Sequence, residues 1–598
     1  MIRTTSTRLT TQCLNVLRST TASTSKGEKR YQGNIATERS GDGDKNLHYS
    51  NEEGHWKSSS MEPVTIQNMT LDKYVWQNFK KWENKTATVC VITGREYTYA
   101  KLRDSSAALA IQLQHKFKLN PRDVLAVCLP NLPEFPIASL GAVEAGLAVT
   151  TVNPLYTAEE IGRQLTLSNA KCIIGTVKYY QVLKDACAVA KKNIPIITIR
   201  TSNSDSIPAG AADFFELINT TNVDYSTLKE TGTHPDDVVF LPFSSGTTGL
   251  PKGVQLSHDN ITINCEQTQA KFPYETILQE TTETHQEVVP SVLPFFHIYG
   301  LTVVMLSKLF LGIKLVTLPQ FKPDDLIKAL YDFKGTSLNL VPPIANFLTN
   351  SPKVTAEHAP NLRMIMCGAA PIGQSDIERM LKKFPNCSFM QGYGMTELSP
   401  VALMSPNNFT KYSSIGQLVG STDGKIVSLE NNDGKGLGPN QTGELLIRGP
   451  QTMLGYLNNE EANKDIFREG APGSSRWLRT GDVAYYDEEG SFYITDRMKE
   501  LIKVKGFQVP PAELEECLRS HPKILEAGVI GIPHSQHGEL PKAFVVLRPN
   551  VEASEEEIKE FVAEKVAHYK HLEGGVQFID ELPKNPSGKI LRKDLKSM

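Results

Sequence analysis

Between Glu287 and Leu318 the chain alternates in a way that leaves few folds open. Glu287 to Leu293 reads as a buried strand, Tyr299 to Leu311 is an apolar stretch of helix length stopped by Gly312, and Ile313 to Leu318 reads as the next strand. Two strands joined through a helix lie parallel in one sheet, so the unit predicts a β-α-β crossover. The connection Pro294 to Tyr299 then falls at the carboxyl edge of that sheet, which is where open α/β sheets bind ligands.

Similar alternation runs from about Met61 onward and predicts α/β layers. After the alternating strand Ser491 to Thr495 the texture changes. Leu501 to Val504 reads as a strand, a helix starts near Pro511, strands follow near Ile524 to Ile532 and Lys542 to Leu547, and Ser554 with Glu557 forms a capping box ahead of a last long helix. The expected plan is therefore a large multi-sheet α/β domain over residues 61–498 and a small α+β domain over 499–598. No repeat with a solenoid period is visible.

Residues 1–60 stand apart. Arg3, Arg8, Arg18 and Lys26 are scattered among Ser and Thr, no acid precedes Glu28, and Leu9, Cys13, Val16 and Leu17 fall on one helical face. That composition predicts a mitochondrial transit-like segment, a matrix address with the cytoplasm or peroxisome as alternatives, and a polar linker up to residue 60. The chain ends Lys596, Ser597, Met598, which is not a peroxisomal tripeptide.

Composition narrows the partner. With 598 residues, 22% charged and a net charge of −3, nothing suggests a nucleic-acid surface. The nine cysteines are scattered singly, without metal-ligand spacing. No uninterrupted apolar run reaches the roughly 18 residues that cross a bilayer; the best candidate, Leu301 to Leu318, is broken by Lys308 and Lys314. A soluble enzyme acting on small molecules is expected.

The run SSGTTGLPKG, Ser244 to Gly253, follows the strand-like Val238 to Leu241 and is suited to phosphate. Glycines let backbone N–H groups approach an anion, hydroxyls donate to its oxygens, and Lys252 adds positive charge. It is not a Walker A loop, because Pro251 and Gly253 flank the lysine where that motif needs Lys followed by Ser or Thr.

Further motifs follow in order: QGYGMTE (Gln391 to Glu397), RTGD (Arg479 to Asp482), TDRMKELIKVKGFQV (Thr495 to Val509) and NPSGKILRK (Asn585 to Lys593). Together with the phosphate loop, this series resembles the adenylate-forming superfamily, and within it the 4-coumarate:CoA ligases and luciferase-like acyl-CoA synthetases. The resemblance covers residues 61–598. It implies that the small domain is mobile, and that ATP, Mg²⁺, coenzyme A and a carboxylic acid meet at one site.

What the resemblance implies for single residues can be checked against their chemistry. Ser244, Ser245, Gly246, Thr247, Thr248 and Lys252 would hold the β- and γ-phosphates, Thr396 the α-phosphate, and Glu397, a hard oxygen ligand, the Mg²⁺. Gln391, Gly392 and Tyr393 would line the adenine, Asp482 would accept both ribose hydroxyls, and Arg497 would reach the nucleotide from the domain junction. His297 would orient the carboxylate, with Tyr299, Ala369 and Met404 against the acyl group. Lys589, a mobile point charge, would bridge carboxylate and α-phosphate. Lys499 matches the hinge, while Lys503, Lys505, Gly506 and Gln508 would swing in around AMP and coenzyme A. One departure is Gln320, where many 4-coumarate:CoA ligases carry a basic residue; here the base is Lys322.

The expected activity is ATP-dependent ligation of a hydrophobic acid, of medium or long fatty chain, to coenzyme A. An aryl-alkenoate ligase and a luciferase-like oxygenase share the adenylation residues. A degenerate acyl- or nucleotide-binding protein is the non-enzyme alternative, and its usual sign is loss of the cationic and Mg²⁺-binding residues, which are all present here.

Overall fold

The computed structural model describes residues 47–50, 52–219, 222–244, 251–269, 278, 281–406, 409–431, 433–471, 474–497, 500–504, 507–534, 537–566, 568–584 and 588–598. Among these, five sheets form: four in the large domain and one in the small domain. Strands Val124–Val127, Ala148–Thr151, Cys172–Thr176 and Ile196–Ile199 run parallel in the largest of them. They are buried almost along their whole length and mostly apolar, as expected where helices cover both faces of a parallel sheet.

The crossover is present. Strands Val288–Ser291 and Lys314–Thr317 pair parallel, joined by a helical segment. That segment opens as a π-helix, Tyr299–Leu306, before the α-helical turn Ser307–Phe310, and Gly312 ends it with φ 77°. Every residue of the π-helix is buried, and such wide turns occur mainly at functional sites.

A second parallel set, Ser337–Leu340, Met364–Gly368 and Ser388–Gly394, lies beside the first and continues antiparallel through Val401–Met404. Its carboxyl edge carries Ala369, whose φ of 70° is a left-handed backbone that non-glycine residues seldom adopt outside functional turns.

One expectation is corrected at the N-terminus. Residues 47–50 and 54–58 are not linker: strand Leu47–Ser50 pairs with Gly54–Ser58, which adds to the sheet through Lys57 opposite Gly424. Glu53 accounts for the attachment. Its Oε1 accepts from Ala471 N–H at 2.6 Å and from Trp477 Nε1 at 3.3 Å, and the Arg448 guanidinium, itself 4.1 Å from a Trp477 ring, stands 3.6 Å from Oε2.

The chain leaves the large-domain sheet after strand Phe492–Arg497 and enters the small-domain sheet at Ile502–Val504. In the small domain, helix Pro511–Arg519 packs on the long hairpin Ile524–His534 and Gly538–Leu547. The capping signal is half realised: Ser554 Oγ accepts from Glu557 N–H at 3.1 Å, while the Glu557 carboxylate turns to Lys523.

Candidate active site

Strand Phe243–Ser244 turns back on Lys252–Ser257 with Ser244 opposite Lys252, so the hydroxyl- and glycine-rich loop leaves and returns at one point. Ser245, Gly246, Thr247 and Thr248 lie outside the described residues. Ser244 Oγ donates to Glu397 Oε1 at 2.9 Å, and Tyr456 Oη donates to the same oxygen at 2.8 Å. Glu397 is buried in the 3₁₀ turn Thr396–Leu398 that also carries the half-buried Thr396. Tyr456 reaches it because Val254 and Tyr456 are paired across adjacent strands. Lys252 Nζ stands 5.0 Å from the Tyr456 ring centre. Burial and the neighbouring Glu397 carboxylate hold the Tyr456 proton firmly, raising its pKa. Tyr456 went unnoticed in the sequence, where only a Gly-Tyr pair marks it.

The opposite side is built on strand Ser388–Gly394, whose residues alternate between two faces. Tyr393 Oη donates to Asp482 Oδ2 at 2.6 Å, which joins two of the expected nucleotide residues from different sheets. Asp482 lies opposite Arg497 in the strand pair, but the Arg497 side chain and Lys499 are outside the described residues. Gln391, on the same strand as Tyr393, has its side-chain amide engaged within the protein. Its Nε2 donates to the carbonyls of Tyr412 and Ser414, at 2.5 and 3.2 Å, so the amide secures a neighbouring loop.

Gly392 belongs to the other face. A methyl group built on Gly392 would lie 2.8 Å from Met366 Cε, and one built on Gly368 would lie 3.5 Å from Tyr299 Cε1. Met404 pairs with Gly392 from the adjoining strand and is buried. Tyr299, Met366 and Met404 therefore border a glycine-floored apolar face that begins at Ala369.

The His297 loop is fastened from below. Asn131 Nδ2 donates to the carbonyls of Ser291 and Leu293 at 2.8 and 2.7 Å, Asn131 Oδ1 accepts from Phe295 N–H at 2.8 Å, and Thr151 Oγ1 donates to Phe296 O at 2.7 Å. His297 Nδ1 accepts from Tyr299 N–H at 3.3 Å, which leaves the proton of the neutral ring on Nε2 as a donor. The ring keeps some accessible surface, yet the protein packed around it desolvates it and pushes its pKa down to about 4, from an ordinary 6.5. The unfolded chain therefore takes up this proton first as pH falls. Stability from His297 is full above about 6.5 and is lost as pH drops towards about 4. The stability of His297→Gln relative to wild type should accordingly rise across that interval, as measured by denaturant unfolding of both proteins at several pH values; parallel pH curves would contradict the assignment.

The small domain brings its C-terminal turn to this edge. A methyl group on Gly588, which has φ 81°, would lie 2.7 Å from Pro343 and 3.6 Å from Val341 Cγ2, so the turn carrying Lys589 rests on the end of strand Ser337–Leu340. Arg592 braces the turn through Glu515 at 2.8 Å and Glu500 at 3.5 Å. A second contact joins the domains at Gly373, where an added methyl group would lie 2.9 Å from the Glu516 carboxylate. Lys505 and Gly506, and the side chains of Lys503 and Gln508, lie outside the described residues.

The AMP-binding enzyme family matches residues 75–457, and the AMP-binding enzyme C-terminal domain matches residues 513–589. The chain belongs to the AMP-binding enzyme family. This AMP-binding enzyme is 39% identical over 556 residues to 4-coumarate–CoA ligase 3 of Oryza sativa subsp. japonica, covering 90% of this chain and 94% of that one. It is 38% identical to 4-coumarate–CoA ligase 1 of Arabidopsis thaliana, again over 90% and 94% of the two chains. Its fold is similar to that of a benzoate CoA ligase from Burkholderia xenovorans LB400, with TM-score 0.76, 24% identity and coverage of 88% and 100%. It is an AMP-forming acid–thiol ligase of the adenylate-forming superfamily.

Proposed function

We propose that this enzyme activates a medium- or long-chain fatty acid with ATP and passes the acyl group to coenzyme A. In the first step a carboxylate oxygen attacks the α-phosphorus and pyrophosphate leaves; in the second the thiol sulfur attacks the acyl carbon, loses its proton and displaces AMP. The observation that carries this reading is the division of strand Ser388–Gly394 between two chemistries. On one face Tyr393 is bonded to the ribose-suited Asp482, and on the other Gly392 adjoins Met366 and Met404. Such a strand holds a nucleotide and an apolar acid back to back at one edge.

The roles follow from charge. Attack of one anion on another needs cations and directed donors around the developing charge. Lys252 and Ser244 stand at the phosphate end, His297 Nε2–H serves the carboxylate, and Lys589 arrives on the turn docked at Val341 and Pro343. Mg²⁺ fits the acid corner. No group of three or more His, Cys, Asp or Glu among the described residues could enclose a metal alone, whereas a single carboxylate such as Glu397 suits a cation shared with substrate phosphates. Bound there, Mg²⁺ would neutralise phosphate charge.

Flexible methionines support a fatty chain, since they adapt to an equally flexible partner. A second reading, an aryl-alkenoate, is favoured by the names of the relatives at 38 to 39% identity. Release of AMP from the purified protein with coenzyme A, across a panel of fatty and cinnamic acids, separates the two. Higher kcat/KM for fatty acids supports the first, and higher values for cinnamates replace it with the second. For the N-terminal segment, the acid-free basic composition of residues 1–27 supports a mitochondrial address, which a fluorescent fusion of residues 1–60 would test by its location.

A further inference from the structure

Two neighbouring threonines at one strand end hold the two segments that the reaction must bring together. Thr150 and Thr151 close strand Ala148–Thr151, and successive side chains of a strand point to opposite faces. Thr150 Oγ1 donates to Leu241 O at 2.7 Å, just before the strand Phe243–Ser244 that carries Ser244 to the phosphate end. Thr151 Oγ1 donates to Phe296 O at 2.7 Å, next to His297. The strand end is itself held: Gln164, 4% exposed on helix Ala158–Ser168, donates from Nε2 to Thr150 Oγ1 at 2.9 Å and to Thr151 O at 3.0 Å.

Asn131 adds a second hold on the histidine loop. It follows strand Val124–Val127, which pairs with the threonine strand, and its buried amide is committed to that loop alone, through Ser291 O, Leu293 O and Phe295 N–H. The loop grows out of the sheet containing Val288–Ser291, yet these bonds come from the end of the larger sheet beside it. A buried amide paired wholly with backbone fixes what it holds, because any shift leaves polar groups unpaired.

We infer that Asn131 and Thr151 are positioning residues for the acid, acting through His297, and that Thr150 is their counterpart for ATP, acting through the strand that carries Ser244; this rests on the roles given to His297 and Ser244 above. One strand end then sets the spacing of the two reactants. A misplacement of about 1 Å in such a pair can cost about 10²-fold in rate.

The test measures AMP release by the full-length enzyme with coenzyme A, using the acid that wild type prefers in the fatty and cinnamic panel, with acid and ATP varied in turn. Thr151→Val, nearly isosteric, should lower kcat/KM for the acid about fivefold, the worth of one hydrogen bond, and leave KM for ATP within about twofold of wild type. Thr150→Val should do the reverse, raising KM for ATP and sparing the acid. Asn131→Leu should lower kcat/KM for the acid at least about tenfold, yet cost His297→Ala at most about twofold more, since residues acting through one group are not additive. A general loss of stability would produce neither the split nor the non-additivity.

Equal effects on acid and ATP in both threonine variants, or the full Asn131→Leu loss repeated in His297→Ala, would overturn the inference and leave the ligase reading standing. Wild-type rates in His297→Ala would remove the role of His297 and the inference with it. No AMP release from any acid would remove the ligase reading as well. Should Asn131→Leu fail to fold, the two threonine variants decide.

Discussion

Lys589→Ala should reduce acid-dependent adenylate formation by about 10²- to 10³-fold, the usual cost of removing one group that stabilises developing charge, or roughly 3 to 4 kcal/mol. Thioester formation from a supplied acyl-adenylate should stay close to the wild-type rate. The asymmetry follows from geometry: the turn holding Lys589 touches the large domain through Gly588 against Pro343 and Val341, at the edge where the acid face begins. The charge is needed while two anions approach each other, and that repulsion is gone once the adenylate exists. Gly588→Val, which adds bulk against Pro343 and strains a left-handed backbone, should lower adenylation selectively for the same reason. Rapid-quench assay of each half-reaction checks both variants, and equal loss in the two halves would contradict the role.

Glu397→Gln should lower adenylation by at least about 10²-fold and raise the Mg²⁺ concentration needed for half-maximal activity. Glutamine keeps an acceptor for Ser244 and Tyr456, which donate to Oε1 at 2.9 and 2.8 Å, so the buried corner stays intact while its charge is lost. Tyr456→Phe removes only one donor and should have a much smaller effect, about 1 kcal/mol. Titration of Mg²⁺ at saturating ATP separates this defect from that of Lys589→Ala, whose Mg²⁺ requirement should match wild type. An unchanged requirement in Glu397→Gln would remove Glu397 from the metal.

Much of this architecture could be read from residue patterns, for identifiable reasons. The crossover at residues 287–318 announced itself because buried parallel strands are continuous apolar runs and Gly312 ends the helix between them. The helix Glu555–Ala563 was marked by its cap, although the reciprocal half of the box went instead to Lys523. Long-range pairing was illegible. Nothing local in residues 47–58 tells that Lys57 will lie opposite Gly424, because the attachment depends on Glu53 meeting Ala471, Trp477 and Arg448. The π-helical winding of Tyr299–Leu306 was also hidden, since a segment apolar on every side has no periodicity to distort. At the site, residue types were legible and orientations were not. Strand alternation turns Gln391 to the loop carbonyls and Gly392 to the acyl face, and Tyr456 acquires meaning only from a neighbour distant in sequence.

The proposed chemistry needs a nucleotide, a hydrophobic acid and Lys589 to meet at one edge. Exchange of labelled pyrophosphate into ATP, measured without coenzyme A, tests it most directly. Exchange should depend on a hydrophobic acid and disappear in Lys589→Ala. Its absence with every acid, or its persistence at full rate in Lys589→Ala, would contradict the account.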